Sequence, residues 1–173
     1  MNDNVWDICN IANEPKRAST ISFSSAYCEI EATYMVPSGS SIKTIDDVDK
    51  PGVRIVSKHR AAYDLWLHDN IKHAEIINTA SIDESFKRFV EEGFEVLACL
   101  RPKLMEKQSE LPNMRILDGN FSKVSQAIGM KYGCPEAADF LNTFIEDAKK
   151  TGLIGDLMDK HGVREKLKIP LLL

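Results

Sequence analysis

The segment from residue 53 to residue 100 constrains the fold most, because short apolar runs alternate there with segments of helical period. Residues 53–56, 75–78 and 94–100 read as strands, the last interrupted only by Glu95. Residues 61–69 and 82–90 between them read as helices. Strands that are apolar along their whole length need cover on both faces, so the alternation predicts a parallel α/β core. The first helix carries Ala62, Leu65 and Trp66 on one face. In the second, Ile82, Phe86, Phe89 and Val90 follow the i, i+4, i+7, i+8 spacing of one buried stripe. Ser81 and Glu84 form a capping box, with Glu84 placed to reach back to the cap residue. Gly93 supplies a left-handed stop, and Pro102 suits the first turn of the next helix.

The flanking sequence extends the same architecture. Residues 5–12 form a mostly apolar run consistent with a buried strand, and residues 30–36 a second extended segment ended by Pro37, Ser38, Gly39 and Ser40. Thr44 to Asp47 looks like a helix cap, followed by a turn at Pro51 and Gly52. Residues 114–117 and 124–130 read as further strands. A helix over 136–150 repeats Ala137, Phe140, Leu141, Phe144, Ile145 and Ala148 at three- and four-residue steps, with Gly152 closing it. Residues 153–160 add a short final helix. A chain of 173 residues suits one medium domain or two small lobes sharing a hinge.

Composition narrows the function. Hydrophobic residues make up 43% and charged residues 28%, a balance that buries a real core. The net charge of −4, with no basic stripe and no zinc-finger spacing, argues against nucleic acid as a partner. Cys9, Cys28, Cys99 and Cys134 contain no Cys-x-x-Cys pair, so free thiols are expected rather than a disulfide framework or a zinc site. The first residues show neither a basic n-region nor an apolar h-region, and no run approaches the 18 apolar residues of a membrane helix. Taken as it stands, the sequence predicts a soluble chain that stays where it is made, in the cytoplasm.

Asn10-Ile-Ala-Asn-Glu-Pro-Lys-Arg17, followed by Ile21-Ser-Phe-Ser-Ser-Ala-Tyr27, resembles the T-P-x-R…F-S-x-P-Y signature of the family 3 solute-binding proteins of ABC transporters. The likeness continues in register through Glu29 to Val36, Thr44 to Val48, Pro51 to Ile55 and Ala62 to Leu65. It reaches Arg115 to Gly119, Gln126 to Gly129, and the run from Leu141 to Gly152. Each piece alone is weak; their order and spacing across almost the whole chain carry the match. The resemblance implies a type II periplasmic-binding-protein fold, two α/β lobes joined by two crossing strands, with a small solute bound between them. On this chain lobe 2 would be residues 37–123, and lobe 1 would be residues 1–36 with 124–173. Relatives begin with further strands and helices upstream, so lobe 1 is expected to be incomplete. Transporter membrane subunits become expected partners, and the periplasm the expected location.

The resemblance also nominates site residues. Arg17 matches the arginine that grips a ligand carboxylate with two parallel charge-assisted bonds; the alternative is a solvated loop arginine beside Lys16. The turn after the 53–56 strand, where relatives place a small Gly-Ser/Thr loop, here offers His59, Arg60 and Ala61, with Arg60 in place of glycine. Backbone N–H groups at such a helix start bind anions, and Arg60 would add charge to that site or block it. Leu100 stands where amino-acid-binding relatives carry the aspartate that takes the ammonium, which argues against an α-amino-acid ligand. Arg101 follows it, as a further contact for an anionic solute or as a surface residue before Pro102. No metal spacing links His59, His68, His73 and His161. Tyr27, Tyr34, Tyr63 and Trp66 read as core rather than as a binding face. No nucleophile elbow, P-loop or dinucleotide fingerprint is present. The leading expectation is therefore a non-enzymatic binding protein for a small, anionic solute, without cofactor or metal. The alternatives are a dehydratase-like enzyme on the same fold, for which only Glu14 and Glu29 lie near the lobe 1 motif, and a remnant acting through protein interaction. The remnant would leave Phe140, Phe144 and Leu157 uncovered and would self-associate.

Overall fold

The structure, a computed structural model, describes residues 7–172. In chain order the elements are β1 (Ile8–Asn13), α1 (Pro15–Ala18), β2 (Ile21–Phe23), β3 (Cys28–Pro37), β4 (Arg54–Lys58), α2 (Ala62–Asn70), β5 (Glu75–Thr79), α3 (Ile82–Glu91), β6 (Val96–Leu100), α4 (Arg101–Gln108), β7 (Met114–Ile116), β8 (Ser122–Lys131), α5 (Pro135–Lys150) and α6 (Leu153–Lys160). A 3-10 turn at Ile45–Asp47 fills the place of the cap expected at Thr44. The chain divides into two compact units, Met1–Ile30 with Val124–Leu173, and Glu31–Lys123. It passes from one to the other along β3 and returns along β8. The boundary expected at residues 36 and 37 lies later on β3 than this division.

In the second unit β4 lies between β5 and β6 and runs parallel to both, with Val56 opposite Ile77 on one side and Leu97 on the other. Ile55, Ile77 and Val96 thus share one sheet, as the alternating pattern requires. Ile55, Val56, Val96, Leu97 and Ala98 are sealed from solvent, the burial that a two-sided parallel sheet demands. β3 pairs antiparallel with β6, Tyr34 opposite Ala98, and with β7, Val36 opposite Arg115.

The two helices of this unit correct the expected faces. In α3 the Ser81 hydroxyl accepts the Glu84 N–H at 3.1 Å, while the Glu84 carboxylate takes the Ala80 N–H at 2.8 Å, one residue before the cap. Phe86 and Phe89 are buried, but Val90 is 45% exposed and lines a groove with Phe86 and Leu111. Its expected place on the inner face goes to Ser85, whose hydroxyl lies 2.5 Å from that of Thr79 on β5. In α2 the buried residues are Tyr63, Asp64 and Leu67, one step round from the expected Ala62, Leu65 and Trp66. The offset follows from Asp64, a charged side chain that finds its partners inside. Trp66 instead packs on Phe121 at 5.1 Å, and Phe121 stacks on Tyr34 at 4.3 Å.

In the first unit β8 pairs antiparallel with β1 and with β2, so Gly129 lies opposite both Cys9 and Phe23. A Cβ at Gly129 would sit 2.9 Å from Ile11 Cγ2 and 3.2 Å from Ile21 Cδ1, so close approach explains the glycine. The strand expected at 5–12 is β1; Val5 and Trp6 lie outside the described residues. The short α1 and β2 are additions to the sequence reading. Pro15 opens α1, and the Glu14 carboxylate accepts the Arg17 N–H at 2.6 Å as its cap. α5 buries Leu141, Ile145 and Ala148, whereas Phe140 and Phe144 stay 70% and 50% exposed. The wide apolar stripe is thus two faces, one buried and one open. α6, started by left-handed Gly152, leaves Leu157 42% exposed. Beyond α6, Lys168 forms a two-bond antiparallel bridge with Glu29. Among the described residues no helix is long and apolar enough to cross a membrane.

Candidate functional site

The carboxyl ends of the adjacent parallel strands β4 and β6 carry four of the five nominated residues. The turn of Lys58, His59, Arg60 and Ala61 leaves β4, and Leu100 and Arg101 leave β6 into α4. Ligands of open α/β sheets bind at this end of the strands. Arg17 belongs to the first unit, at the end of α1.

The turn has an unusual backbone. Arg60 has φ 60°, the left-handed conformation, as no other non-glycine residue does among the described residues. An L-residue with a long side chain sits there at a cost of about 1 kcal/mol relative to glycine. Three hydrogen bonds hold it. The Arg60 N–H donates to Asp64 Oδ2 at 2.8 Å, the Ala61 N–H to the Lys58 carbonyl at 3.1 Å, and the His59 N–H to the Thr79 carbonyl at 2.9 Å. His59 and Arg60 are exposed, and half-buried Ala61 occupies the N-cap of α2 without a side-chain cap bond.

Asp64 is 1% exposed, and its second oxygen accepts Asn78 Nδ2 at 2.6 Å. His59 Nδ1 stands 4.0 Å from Oδ2 and His68 Nε2 3.7 Å from Oδ1. Asp64 and Asn78 were absent from the sequence-based site. A lone carboxylate at position 64 reads as solvent-facing by residue type, and only its place four residues after Arg60 hinted at a local cap.

Arg101 is committed within its own unit. Its Nε donates to Glu31 Oε2 at 2.8 Å, and its terminal nitrogen donates to the carbonyls of Leu117 and Gly119. It therefore ties β3 to the segment before β8 while neutralising Glu31. Leu100, half-buried at the N-cap of α4, brings no carboxylate to this edge. In the first unit Arg17 is half-buried, and its Nη1 donates to the Ala12 carbonyl at 3.1 Å. Of the two carboxylates considered for acid chemistry, that of Glu14 is the α1 cap, while Glu29 meets Lys168 through its backbone.

The aromatic residues divide as their burial dictates. Tyr34 and Tyr63 are core, and Tyr63 places its hydroxyl 3.8 Å from Cys99 Sγ. All four thiols are free: Cys28 and Cys99 are buried, Cys9 half-buried and Cys134 exposed. Burial pushes Cys28 up to about 11 and raises Cys99 and Cys9 as well. The thiolate is the reactive form, so at pH 8 Cys28 carries about one part in a thousand of it. Labelling the native protein with a thiol-specific disulfide reagent should therefore give one fast equivalent, from Cys134, and four after denaturation. Fast loss of the Cys28 thiol would contradict the packing of the first unit.

No protein-family model matches the sequence, and no curated protein matches it. Solved structures do. A binding component of an ABC transporter from Wolinella succinogenes, complexed with lysine, superposes with a TM-score of 0.77 at 18% identity, over 91% of this chain and 70% of that one. The cysteine-binding protein of Campylobacter jejuni gives 0.73 at 19%, over 91% and 64%. An ancestral amino acid-binding protein, a precursor of cyclohexadienyl dehydratase, gives 0.72 at 19%, over 91% and 68%. The chain thus spans about two thirds of the length of these neighbours while nearly all of it is matched. The expected architecture holds: this chain has the type II periplasmic-binding-protein fold, the fold of the substrate-binding proteins of amino-acid ABC transporters.

Proposed function

We propose that the chain is a solute-binding module of the ABC-transporter kind, and that it takes a small carboxylate rather than a free α-amino acid. The observation that carries the binding role is the fold, shared over 91% of the chain with substrate-binding proteins. The preference for a carboxylate rests on the carboxyl edge of β4 and β6. An α-ammonium needs an acid there, yet Leu100 is apolar and Glu31 is already paired with Arg101. An ammonium left unpaired on desolvation is costly. Arg60 in the exposed turn is the proposed anchor for carboxylate oxygens. Transporter membrane subunits and a periplasmic setting belong to the same proposal. A dehydratase reading has one supporting neighbour, itself described as an amino acid-binding precursor. The engagement of the Glu14 carboxylate as the α1 cap favours binding over catalysis.

Calorimetric titration tests the proposal. The twenty amino acids should give flat traces, whereas a panel of pyruvate, succinate and benzoate should contain a binder. Arg60→Ala should weaken that binder by about ten- to a hundredfold, the loss of one charge-assisted pair. Micromolar affinity for any zwitterionic amino acid would overturn the carboxylate preference. Flat traces for every solute would overturn the binding role.

A further inference from the structure

We infer that Asp64 is the positioning residue of the 58–61 turn, fixing the backbone that presents Arg60; this rests on the turn belonging to the proposed site. Left to itself, an arginine leaves the left-handed conformation, because its Cβ crowds the following carbonyl. The Asp64 carboxylate opposes that relaxation with a charge-assisted bond from the Arg60 N–H at 2.8 Å. The restraint is stiff because the carboxylate is itself held. Asn78 Nδ2, on β5, binds its other oxygen at 2.6 Å, and Asn78 Oδ1 lies 3.2 Å from His68 Nε2. One buried side chain therefore links the turn, the first turn of α2 and the neighbouring strand.

A buried charge is tolerated only with its partners made, and here they are the turn's backbone and a strand amide, with His59 Nδ1 and His68 Nε2 at 4.0 and 3.7 Å. The same bond also occupies the Arg60 N–H with a protein carboxylate. The turn thus departs from a bare helix start, where such groups face an incoming anion, and recognition shifts toward the Arg60 side chain.

The test has a ligand-free arm and a binding arm, both on the full chain. Amide hydrogen exchange should show the Arg60 N–H of Asp64→Asn exchanging at least about tenfold faster, with the Ile55 and Leu97 amides unchanged. Calorimetry with pyruvate, succinate and benzoate as probes should show a loss of affinity of about tenfold for the one that binds. Asn78→Ala, which frees the second oxygen and the His68 ring nitrogen but keeps the Asp64 acceptor of the Arg60 N–H, is the milder variant and should move both readouts the same way by less. Unchanged exchange at Arg60 in both variants would overturn the latch. Faster exchange with unchanged affinity for that carboxylate would overturn the positioning role while leaving the binding proposal standing. Absence of binding by pyruvate, succinate and benzoate alike to the unaltered protein, with exchange behaving as expected, would overturn the placement of the turn in a carboxylate site.

Discussion

The purified 173-residue chain is expected to self-associate at concentrations of about 10 µM and above, and Phe140→Glu combined with Phe144→Glu is expected to return it to monomer. The surface responsible lies in the first unit. Phe140 and Phe144 sit one turn apart on the outer side of α5, 70% and 50% exposed. Leu153 and Leu157 of α6 add two more exposed apolar side chains, at 43% and 42%. Leu157 also lines a groove of about 210 Å³ with Tyr27, Ile154, Met158, Val163 and Leu167. Burying one such Phe or Leu stabilises by about 1.5–3 kcal/mol. Four of them give a gross gain of roughly 6–12 kcal/mol, against an association cost that begins near 4. The net, about 2–8 kcal/mol at the lowest cost, reaches at its upper end the roughly 7 kcal/mol of a 10 µM complex. The edge of β1 adds to the tendency, since among the described residues β1 pairs only with β8 and Ile8 is 54% exposed. Sedimentation velocity or light scattering across a hundredfold dilution reads the result directly. A chain that stays monomeric throughout would show that these side chains are covered by other means.

How much of this was legible beforehand differs between the two units for a physical reason. The βαβαβ core of the second unit follows from residue type alone, because buried parallel strands tolerate only apolar side chains and Val56, Ile77 and Leu97 supply them. Turn chemistry was equally legible: Gly93 and Gly152 adopt positive φ where a helix had to begin or end. The α5 stripe was legible in extent and misleading in use, since a helical period shows that side chains share a face and is silent on whether anything packs there. Phe140 and Leu141 are neighbours in sequence, yet one is open and the other buried. The site was harder, because its geometry depends on hydrogen bonds between segments. Asp64 looked like any surface carboxylate until Asn78 and the Arg60 N–H were brought to it. Arg101 looked like a free cation until Glu31, seventy residues earlier, met it. Arg60 was singled out in the sequence because it stands where relatives carry glycine, and the turn has the left-handed conformation that glycine favours.

Glu146→Ala is expected to destabilise the first unit by about 3 kcal/mol, whereas Glu146→Leu with Lys149→Met should fall within about 1 kcal/mol of the unaltered protein. The pair sits on the last two turns of α5. Lys149 Nζ lies 2.6 Å from Glu146 Oε1, and the two side chains are only 2% and 14% exposed. Lys149 also donates to the Leu171 carbonyl at 3.3 Å, so the ammonium is covered by the C-terminal segment. Removing Glu146 leaves a cation that water barely reaches, and that unpaired charge dominates the loss. Replacing both partners by apolar side chains of similar volume removes the charge and its attraction together, which is why the double variant nearly recovers. The sequence offers no warning of this, since Glu146 and Lys149 three residues apart read as an ordinary exposed helix pair worth a few tenths of a kcal/mol. Urea denaturation of the two variants separates the cases. Equal stability of Glu146→Ala and the unaltered protein would mean that the pair is solvated and the C-terminal segment does not cover it. A double variant as weak as the single one would mean that the pair contributes specific geometry that apolar packing does not replace.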